Sequence, residues 1–149
     1  MNQRGYFAVG ISAGKIPANL GMLWRSSQCF GASFIFTIGA RYQRFDYTDT
    51  TKAGLHVPLF HFTTLAELHK HTPMGCDLVG VELAENAESI AAFHHPERAI
   101  YLLGAEDFGL SPEILGACKR IVQLPGKYCL NVAVAGSLVM YDRWKENES

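Results

Sequence analysis

The stretch QLPGKYCLNVAVAGSLVMYDRW, residues 123–144, decides the fold because it joins the end of a strand to a loop and then to a long helix. Pro125 and Gly126 end the apolar strand, and Asn131 is a favourable N-terminal residue for a helix. Apolar or small side chains then recur almost without interruption through Met140. The pattern predicts a core helix that is buried on most of its circumference, preceded by a ligand-holding loop whose Asn131 faces a pocket.

The length and charge of the chain restrict the class of protein. A sequence of 149 residues with 48% hydrophobic and 18% charged residues is typical of one ordered domain, which we expect to comprise residues 1–149. The formal net charge of -1 shows no excess of Lys and Arg, so contacts to a nucleic acid would have to come from local patches. We expect neither a secretory signal in the first twenty residues nor a membrane-spanning segment.

The cysteines and histidines carry no pattern that indicates a disulfide framework or a metal site. The cysteines are far apart and form no CxxC pair, so we expect buried, reduced thiols in a cytoplasmic protein. His69 and His71 lie two apart on a predicted helix and diverge, while His94 and His95 precede a proline in a turn. We therefore expect no metal and interpret these histidines as solvated surface residues. The cysteines are Cys29, Cys76, Cys118 and Cys129.

Apolar strands alternate with helical patterns along the chain, which predicts an α/β fold with a mostly parallel sheet and helices on both faces. Ligands bind such sheets at the carboxyl ends of the strands, where the loops GAEDFGL (104–110) and PGKYCLN (125–131) fall. The predicted strands are Tyr6–Ile11, Phe34–Ile38, Val57–Phe62, Asp77–Leu83, Ala99–Leu103 and Ile121–Leu124. The predicted helices begin at Asn19 (ending at Gly31), at Thr64, at Glu88 (ending at Phe93), at the Ser111 cap and at Asn131.

The segment Gly39–Gly54 is polar and follows neither the helical nor the strand period, so we predict a long loop. It carries the positive charges of Arg41, Arg44 and Lys52. A loop of this length inside a compact domain is more often functional than idle.

Single motifs leave the chemistry open. The chain has no GxGxxG and no GxxxxGK[ST] motif, which disfavours a nicotinamide enzyme and a nucleotide triphosphatase. The glycines around Glu106 are equally typical of a backbone that approaches a ligand closely and of a tight strand-to-helix turn. Taken alone, Arg25 is more typical of a solvated or ion-paired arginine, and Cys129 of a small buried residue.

Three segments taken together resemble, in order and separation, the motifs of the SpoU branch of the SPOUT RNA methyltransferases: NLGMLWRSSQCFG (19–31), IYLLGAEDFGLSPEIL (100–115) and QLPGKYCLNVAVAGSLVMYD (123–142). Cys129 stands where that family usually has serine, and the loop from Pro125 to Cys129 is short. DTTKAGL (49–55) is similar to a loop of the small members that modify the ribose of the tRNA wobble nucleotide. The matching residues are Asn19, Gly21, Arg25, Phe30 and Gly31, then Gly104, Glu106, Gly109, Leu110, Ser111 and Pro112, then Pro125, Leu130, Asn131 and Val132.

The resemblance implies a SPOUT fold with a deep C-terminal trefoil knot, a homodimer, and S-adenosyl-L-methionine as the cofactor. It also implies transfer of a methyl group to a ribose 2′-hydroxyl of RNA, with tRNA favoured over rRNA. The cofactor would be held mainly by the backbone of Val81, Gly104, Leu124, Cys129 and Leu130.

The resemblance also implies the catalytic residues. Arg25 is the central one, and we expect it to bind the substrate phosphate and stabilise the developing alkoxide, because a guanidinium with a pKa above about 12 is a poor base. Asn19 and Glu106 would orient the arginine and the motif loops, and Asn131 the third loop. RNA affinity would come from Arg25, Arg41, Arg44 and Lys52.

Three other functions stay open on the sequence. The chain is compatible with an rRNA 2′-O-methyltransferase. Cys129 in place of serine is compatible with a non-catalytic member that binds RNA or the cofactor. A methyltransferase acting on protein or on a small molecule is disfavoured by the retained set of Asn19, Arg25 and Asn131.

Overall fold

The computed structural model describes residues 5–42 and 56–148, and within these ranges seven parallel strands form one sheet. The strands are β1 (Tyr6–Ser12), β2 (Phe34–Ile38), β3 (Leu59–Phe62), β4 (Asp77–Val81), β5 (Glu88–Ser89), β6 (Arg98–Leu103) and β7 (Arg120–Gln123). Their order across the sheet is β3-β2-β1-β6-β4-β7-β5. The predicted parallel sheet is confirmed.

Helices cover both faces of the sheet, as predicted. The helices are α1 (Pro17–Phe30), α2 (Leu65–His71), α3 (Pro112–Ala117) and α4 (Val132–Glu148). Leu20 of α1 and Val139 of α4 pack in one core layer, while Leu68 of α2 and Ile114 of α3 pack in the layer on the other face. Each face therefore has its own apolar core.

The central strands explain why the sequence has short, continuous apolar runs. β1 and β6 lie side by side in register, with Val9 opposite Tyr101 and Ile11 opposite Leu103. All four side chains are buried. A parallel strand with helices on both faces has no solvent-facing side, so it needs apolar residues at consecutive positions and not at alternate ones.

Most predicted helix ends are confirmed, but the first helix begins earlier than predicted. Gly31 ends α1, and the Ser111 side chain accepts a hydrogen bond from the Ile114 N–H at the start of α3. α1 begins at Pro17 and not at Asn19. Proline is favourable in the first turn, where its missing N–H would have no helical partner, so Asn19 lies within that turn.

Three strand or helix predictions differ in extent. β3 begins at Leu59, because Pro58 has no N–H to donate to the sheet, and β4 ends at Val81. The predicted helix Glu88–Phe93 is instead the strand β5 followed by the 3-10 helix Ile90–Ala92. The segment is too short to offset the cost of nucleating an α-helix.

α4 is buried on one side, and the prediction that most of its circumference is buried was wrong. Val139 and Met140 are buried, whereas Val134, Leu138 and Tyr141 are exposed. The helix packs along α1 and covers only one face of the sheet, so part of its circumference stays exposed.

The predicted environment of two cysteines and one histidine was also wrong. Cys29 and Cys129 are exposed, because the first lies on the outer side of α1 and the second in the loop after β7. Cys118 is half-buried, and burial raises the pKa of its thiol to about 11. The side chain of His95 is only 1% exposed, since it lies between Tyr101 and Asp142.

Some predictions fall on parts of the chain that the structure leaves undescribed. Arg44, Lys52 and the segment 49–55 lie outside the described residues.

None of the helices in the described ranges has both the length and the apolar character needed to cross a membrane.

Candidate functional site

A cavity of about 460 Å³ lies at the carboxyl ends of β4, β6 and β7. The loops after these three strands form its walls. The first turn of α1 and the start of α4 close the cavity on the face of the sheet that these two helices cover. Its lining residues include Ile16, Asn19, Val81, Glu82, Leu103, Gly104, Glu106, Phe108, Leu124, Tyr128, Cys129, Leu130, Asn131 and Val132.

The loop after β6 reverses tightly between two glycines. The Gly109 N–H donates to the Ala105 carbonyl at 3.0 Å, and Gly109 has φ +66°, a conformation that favours glycine. A Cβ added at Gly104 would lie 2.2 Å from the backbone carbon of Gly109. Both glycines are therefore required by the turn itself, whatever ligand the loop holds.

A chain of hydrogen bonds joins the three motif loops. Asn131 donates through Nδ2 to Asn19 Oδ1 at 3.0 Å, and Asn19 donates through Nδ2 to Glu106 Oε1 at 2.7 Å. The Lys15 N–H donates to the second Glu106 oxygen at 3.2 Å. Asn19 is only 2% exposed, so it has exchanged water for these two partners. Three of the four residues expected to be catalytic thus form one connected group.

Glu106 is held as a carboxylate. Partial burial raises the pKa of Glu106, but hydrogen bonds from Asn19 and from the backbone N–H groups of Lys15 and Ile16 bring that pKa below its ordinary value. The negative charge is therefore permanent at neutral pH and lies at the cavity wall.

Glu82 is a site residue that the sequence interpretation missed. Its Oε2 accepts from the Leu110 N–H at 2.8 Å, and its Oε1 accepts from the Leu83 N–H at 3.0 Å. A Cβ at Gly109 would lie 2.4 Å from the same Oε2. The signal in the sequence is a carboxylate near the end of an apolar run, which the predicted strand Asp77–Leu83 includes.

The five residues expected to bind the cofactor all line the cavity. Gly104 lies in the loop after β6 and Val81 at the end of β4, while the other three follow β7. Cys129 is exposed at the cavity and not a buried packing residue. The structure therefore brings the whole set to one place: Val81, Gly104, Leu124, Cys129 and Leu130.

Arg25 does not lie with the other expected catalytic residues. It is exposed on α1 and is not among the residues that line the cavity. Asn19 and Glu106 form hydrogen bonds with each other, with Asn131 and with Lys15, and neither contacts Arg25. Arg25 therefore takes no part in the cavity of its own chain.

Arg41 is bound to the loop after β6. Its guanidinium donates to both Asp107 oxygens, at 2.6 and 3.1 Å, and its Nε donates to the Ala13 carbonyl at 2.8 Å. The Asp107 bond raises the pKa of Arg41, and the same bond lowers the pKa of Asp107. The guanidinium carbon also lies 5.3 Å from the centre of the Phe108 ring.

Several solved structures are similar to this chain. One is AviRb, a SpoU methyltransferase of Streptomyces viridochromogenes solved with AdoMet. It has a TM-score of 0.88 at 20% identity, and the match covers 100% of this chain and 60% of AviRb. A chain from a study of 2-OH methylation of C/U34 on tRNA has a TM-score of 0.76 at 22% identity, covering 95% of this chain and 96% of its own. The A. aeolicus TrmH/SpoU tRNA modifying enzyme has a TM-score of 0.83 at 18% identity, covering 98% and 78%.

Sequence comparisons agree with the fold. A tRNA (guanosine(18)-2'-O)-methyltransferase of Mus musculus is 26% identical over 136 residues, which are 85% of this chain but only 8% of the mouse protein. The model of the SpoU rRNA Methylase family matches residues 7–141, nearly the whole chain and all three motif loops. This chain belongs to the SpoU rRNA Methylase family.

Proposed function

We propose that this protein transfers a methyl group from S-adenosyl-L-methionine to a ribose 2′-hydroxyl of RNA. The observation that supports this most strongly is the convergence of three distant motifs on one cavity, joined through Asn131, Asn19 and Glu106. The family match over residues 7–141 supports the same activity. Motif residues that also form one hydrogen-bonded group are best explained by a shared ligand.

The cavity fits S-adenosyl-L-methionine in size and chemistry. A volume of about 460 Å³ is within the range of small-molecule and cofactor sites. Val81, Leu124 and Leu130 supply apolar surface, and the tight turn at Gly104 exposes backbone groups for close contact. The carboxylates of Glu82 and Glu106 give the wall a negative charge, which favours a ligand that carries a positive sulfonium.

Bound S-adenosyl-L-methionine would supply an electrophilic methyl group. The residues of this chain would contribute positioning: Asn19, Glu106 and Asn131 keep the three loops in one arrangement, which can contribute several kcal/mol towards the barrier. Arg25 would bind the RNA phosphate and stabilise negative charge on the ribose oxygen. This role requires that its guanidinium reach a cavity.

We propose that Arg25 reaches the cavity of a second copy in a homodimer. The exposed apolar residues Val134, Leu138 and Tyr141 of α4 and Met22 of α1 provide a surface that a second copy could cover. Arg25 lies on α1 three residues after Met22 and outside its own cavity. A dimer through this surface would explain why an expected catalytic residue is absent from the site of its own chain.

We propose tRNA as the substrate class, and a cytoplasmic location. Support comes from the relative studied for 2-OH methylation of C/U34 on tRNA, whose chain is matched over 96% of its length. Arg44 and Lys52 remain the proposed phosphate contacts, together with Arg25.

We also propose that residues 1–149 form one domain with a trefoil knot at its C-terminal end. The packing of α4 against α1 after β7 is compatible with such a knot.

The function is tested in two steps. Calorimetry should detect binding of S-adenosyl-L-methionine, and the labelled methyl group should then appear in bulk tRNA as a 2′-O-methyl ribose. Asn19→Ala should abolish transfer, because Asn19 links the other two loops. Label in rRNA would favour the rRNA alternative, and binding without transfer would favour a non-catalytic member. Label on protein, or no binding at all, would overturn the proposal.

A further inference from the structure

We propose that Phe108 and Tyr128 form a stacking site for the base of the RNA nucleotide whose ribose is methylated; this inference rests on the proposed function. Both rings line the cavity, yet Phe108 is 79% and Tyr128 84% exposed. Large aromatic side chains normally gain by burial, and two at the mouth of one cavity indicate a surface that a ligand covers.

The two rings belong to different loops of the cavity. Phe108 follows β6 and Tyr128 follows β7, and β4 lies between these strands in the sheet. A flat group that enters the cavity would therefore find an exposed aromatic ring on each of two loops. A nucleobase is such a group, and base–aromatic stacking tolerates any base.

Phe108 is held in its exposed position by its neighbours. Arg41 forms a two-pronged ion pair with Asp107, the preceding residue, and also binds the Ala13 carbonyl. The same guanidinium lies 5.3 Å from the ring centre, within cation–π distance. Arg41 thus connects the loop that carries Phe108 to the segment around Ala13, and it contacts the ring itself.

This arrangement changes the role expected of Arg41. A guanidinium that shares both prongs with Asp107 is neutralised locally and contributes little to phosphate attraction. We assign it the positioning of Phe108 instead. A ribose can reach a catalytic cavity only if its nucleotide leaves the base stack, and the displaced base then needs a new stacking partner.

Phe108→Ala and Tyr128→Ala test the inference. Each should weaken binding of the tRNA substrate about tenfold in fluorescence polarisation and raise KM for RNA, because one stacking contact is lost. Calorimetric affinity for S-adenosyl-L-methionine should stay at the wild-type value. Phe108→Trp should bind RNA like wild type, whereas Phe108→Leu, which is apolar but has no ring, should behave like Phe108→Ala.

Met74→Ala is the matched control. Met74 is 91% exposed, but it lies before β4 at the opposite edge of the sheet, so its loss should change nothing. Once the methylated nucleotide is mapped, RNA lacking that base should bind wild type and Phe108→Ala equally, since the ring then has no partner.

The outcomes separate this inference from the proposed function. Wild-type methylation with unchanged RNA binding by both alanine variants would overturn the stacking site alone. Weakened cofactor binding would assign the rings to the cofactor and also overturn it. A wild-type protein that binds no RNA would overturn the inference and the proposed function together.

Discussion

Asn131 performs two tasks that no other side chain combines as well. Its Oδ1 accepts from the N–H groups of Ala133 and Val134, at 2.9 and 3.2 Å, and so begins α4. Its Nδ2 remains free to donate to Asn19. Aspartate would begin the helix equally well but has no donor for Asn19, and serine is too short for both contacts.

We expect Glu106→Gln to weaken cofactor binding and methyl transfer by about ten- to a hundredfold, because it leaves one polar group without a suitable partner. The two Glu106 oxygens accept from Asn19 and Lys15, whereas glutamine offers one oxygen and an NH₂ group that faces a donor. Calorimetry and initial rates measure the two effects. The control is Glu85→Gln, an exposed residue of the same type outside the cavity. Wild-type affinity in Glu106→Gln would argue against a role for the charge.

α4 is anchored at its C-terminal half by a buried polar group around His95. Arg143 donates through Nη1 to the Tyr101 hydroxyl at 3.2 Å, so that hydroxyl can donate its own proton to His95 Nδ1 at 2.7 Å. His95 Nε2 then carries the ring proton and donates to Asp142 Oδ2 at 2.7 Å. The bond in which the Tyr101 hydroxyl donates to Nδ1 requires a neutral histidine, and the direction of donation assigns the ring proton to Nε2.

The free energy of unfolding should fall as the pH drops below about 6.5, the ordinary pKa of histidine. Burial lowers the pKa of His95 in the folded protein, and this outweighs the opposite effects of Asp142 and Glu146. The unfolded chain therefore binds more protons in this range, and unfolding becomes easier as the pH decreases. Above this range the full contribution of His95 is present.

Urea unfolding between pH 8 and 5 measures this dependence. His95→Gln removes the titrating group, so the variant should be less stable at pH 8 and should lose less stability than wild type on acidification. His69→Gln, at an exposed position on α2, should keep the wild-type pH dependence. An unchanged pH dependence in His95→Gln would mean that another group is responsible.

At the scale of the whole molecule, Arg25 is exposed on α1 and does not line the cavity of its own chain. The exposed apolar residues of α1 and α4 include Met22, which lies one helical turn before Arg25. Two copies that shared this apolar side would remove it from water and bring each Arg25 towards a neighbouring chain. The complete site would then be a property of the dimer.

Mixed dimers should recover activity from two inactive variants. Arg25→Ala and Asn131→Ala should each be inactive alone, but co-expression should restore about a quarter of wild-type activity, because half of the dimers form one site from two intact halves. Leu138→Asp should produce a monomer in sedimentation and lose transfer. No recovery on mixing would place both residues in the site of one chain, and a monomeric wild type would contradict the dimer.

Local sequence was sufficient for much of this protein. Apolar runs, caps and loop glycines act over a few residues, so they predicted the alternating elements and the parallel sheet. The five cavity residues from Val81 to Leu130 were expected from the resemblance to the SpoU motifs. The carboxyl ends of neighbouring strands share one edge, which is why the motif loops could be expected to meet.

Only the tertiary structure decided which groups touch and which are exposed. The Asn19–Asn131 bond joins residues 112 positions apart, and the burial of His95 depends on Asp142, 47 positions away. The exposed rings of Phe108 and Tyr128, and the absence of Arg25 from the cavity lining, follow from packing that no local pattern encodes. Periodicity predicts that a side chain faces a core, but its partners depend on how distant segments fold together.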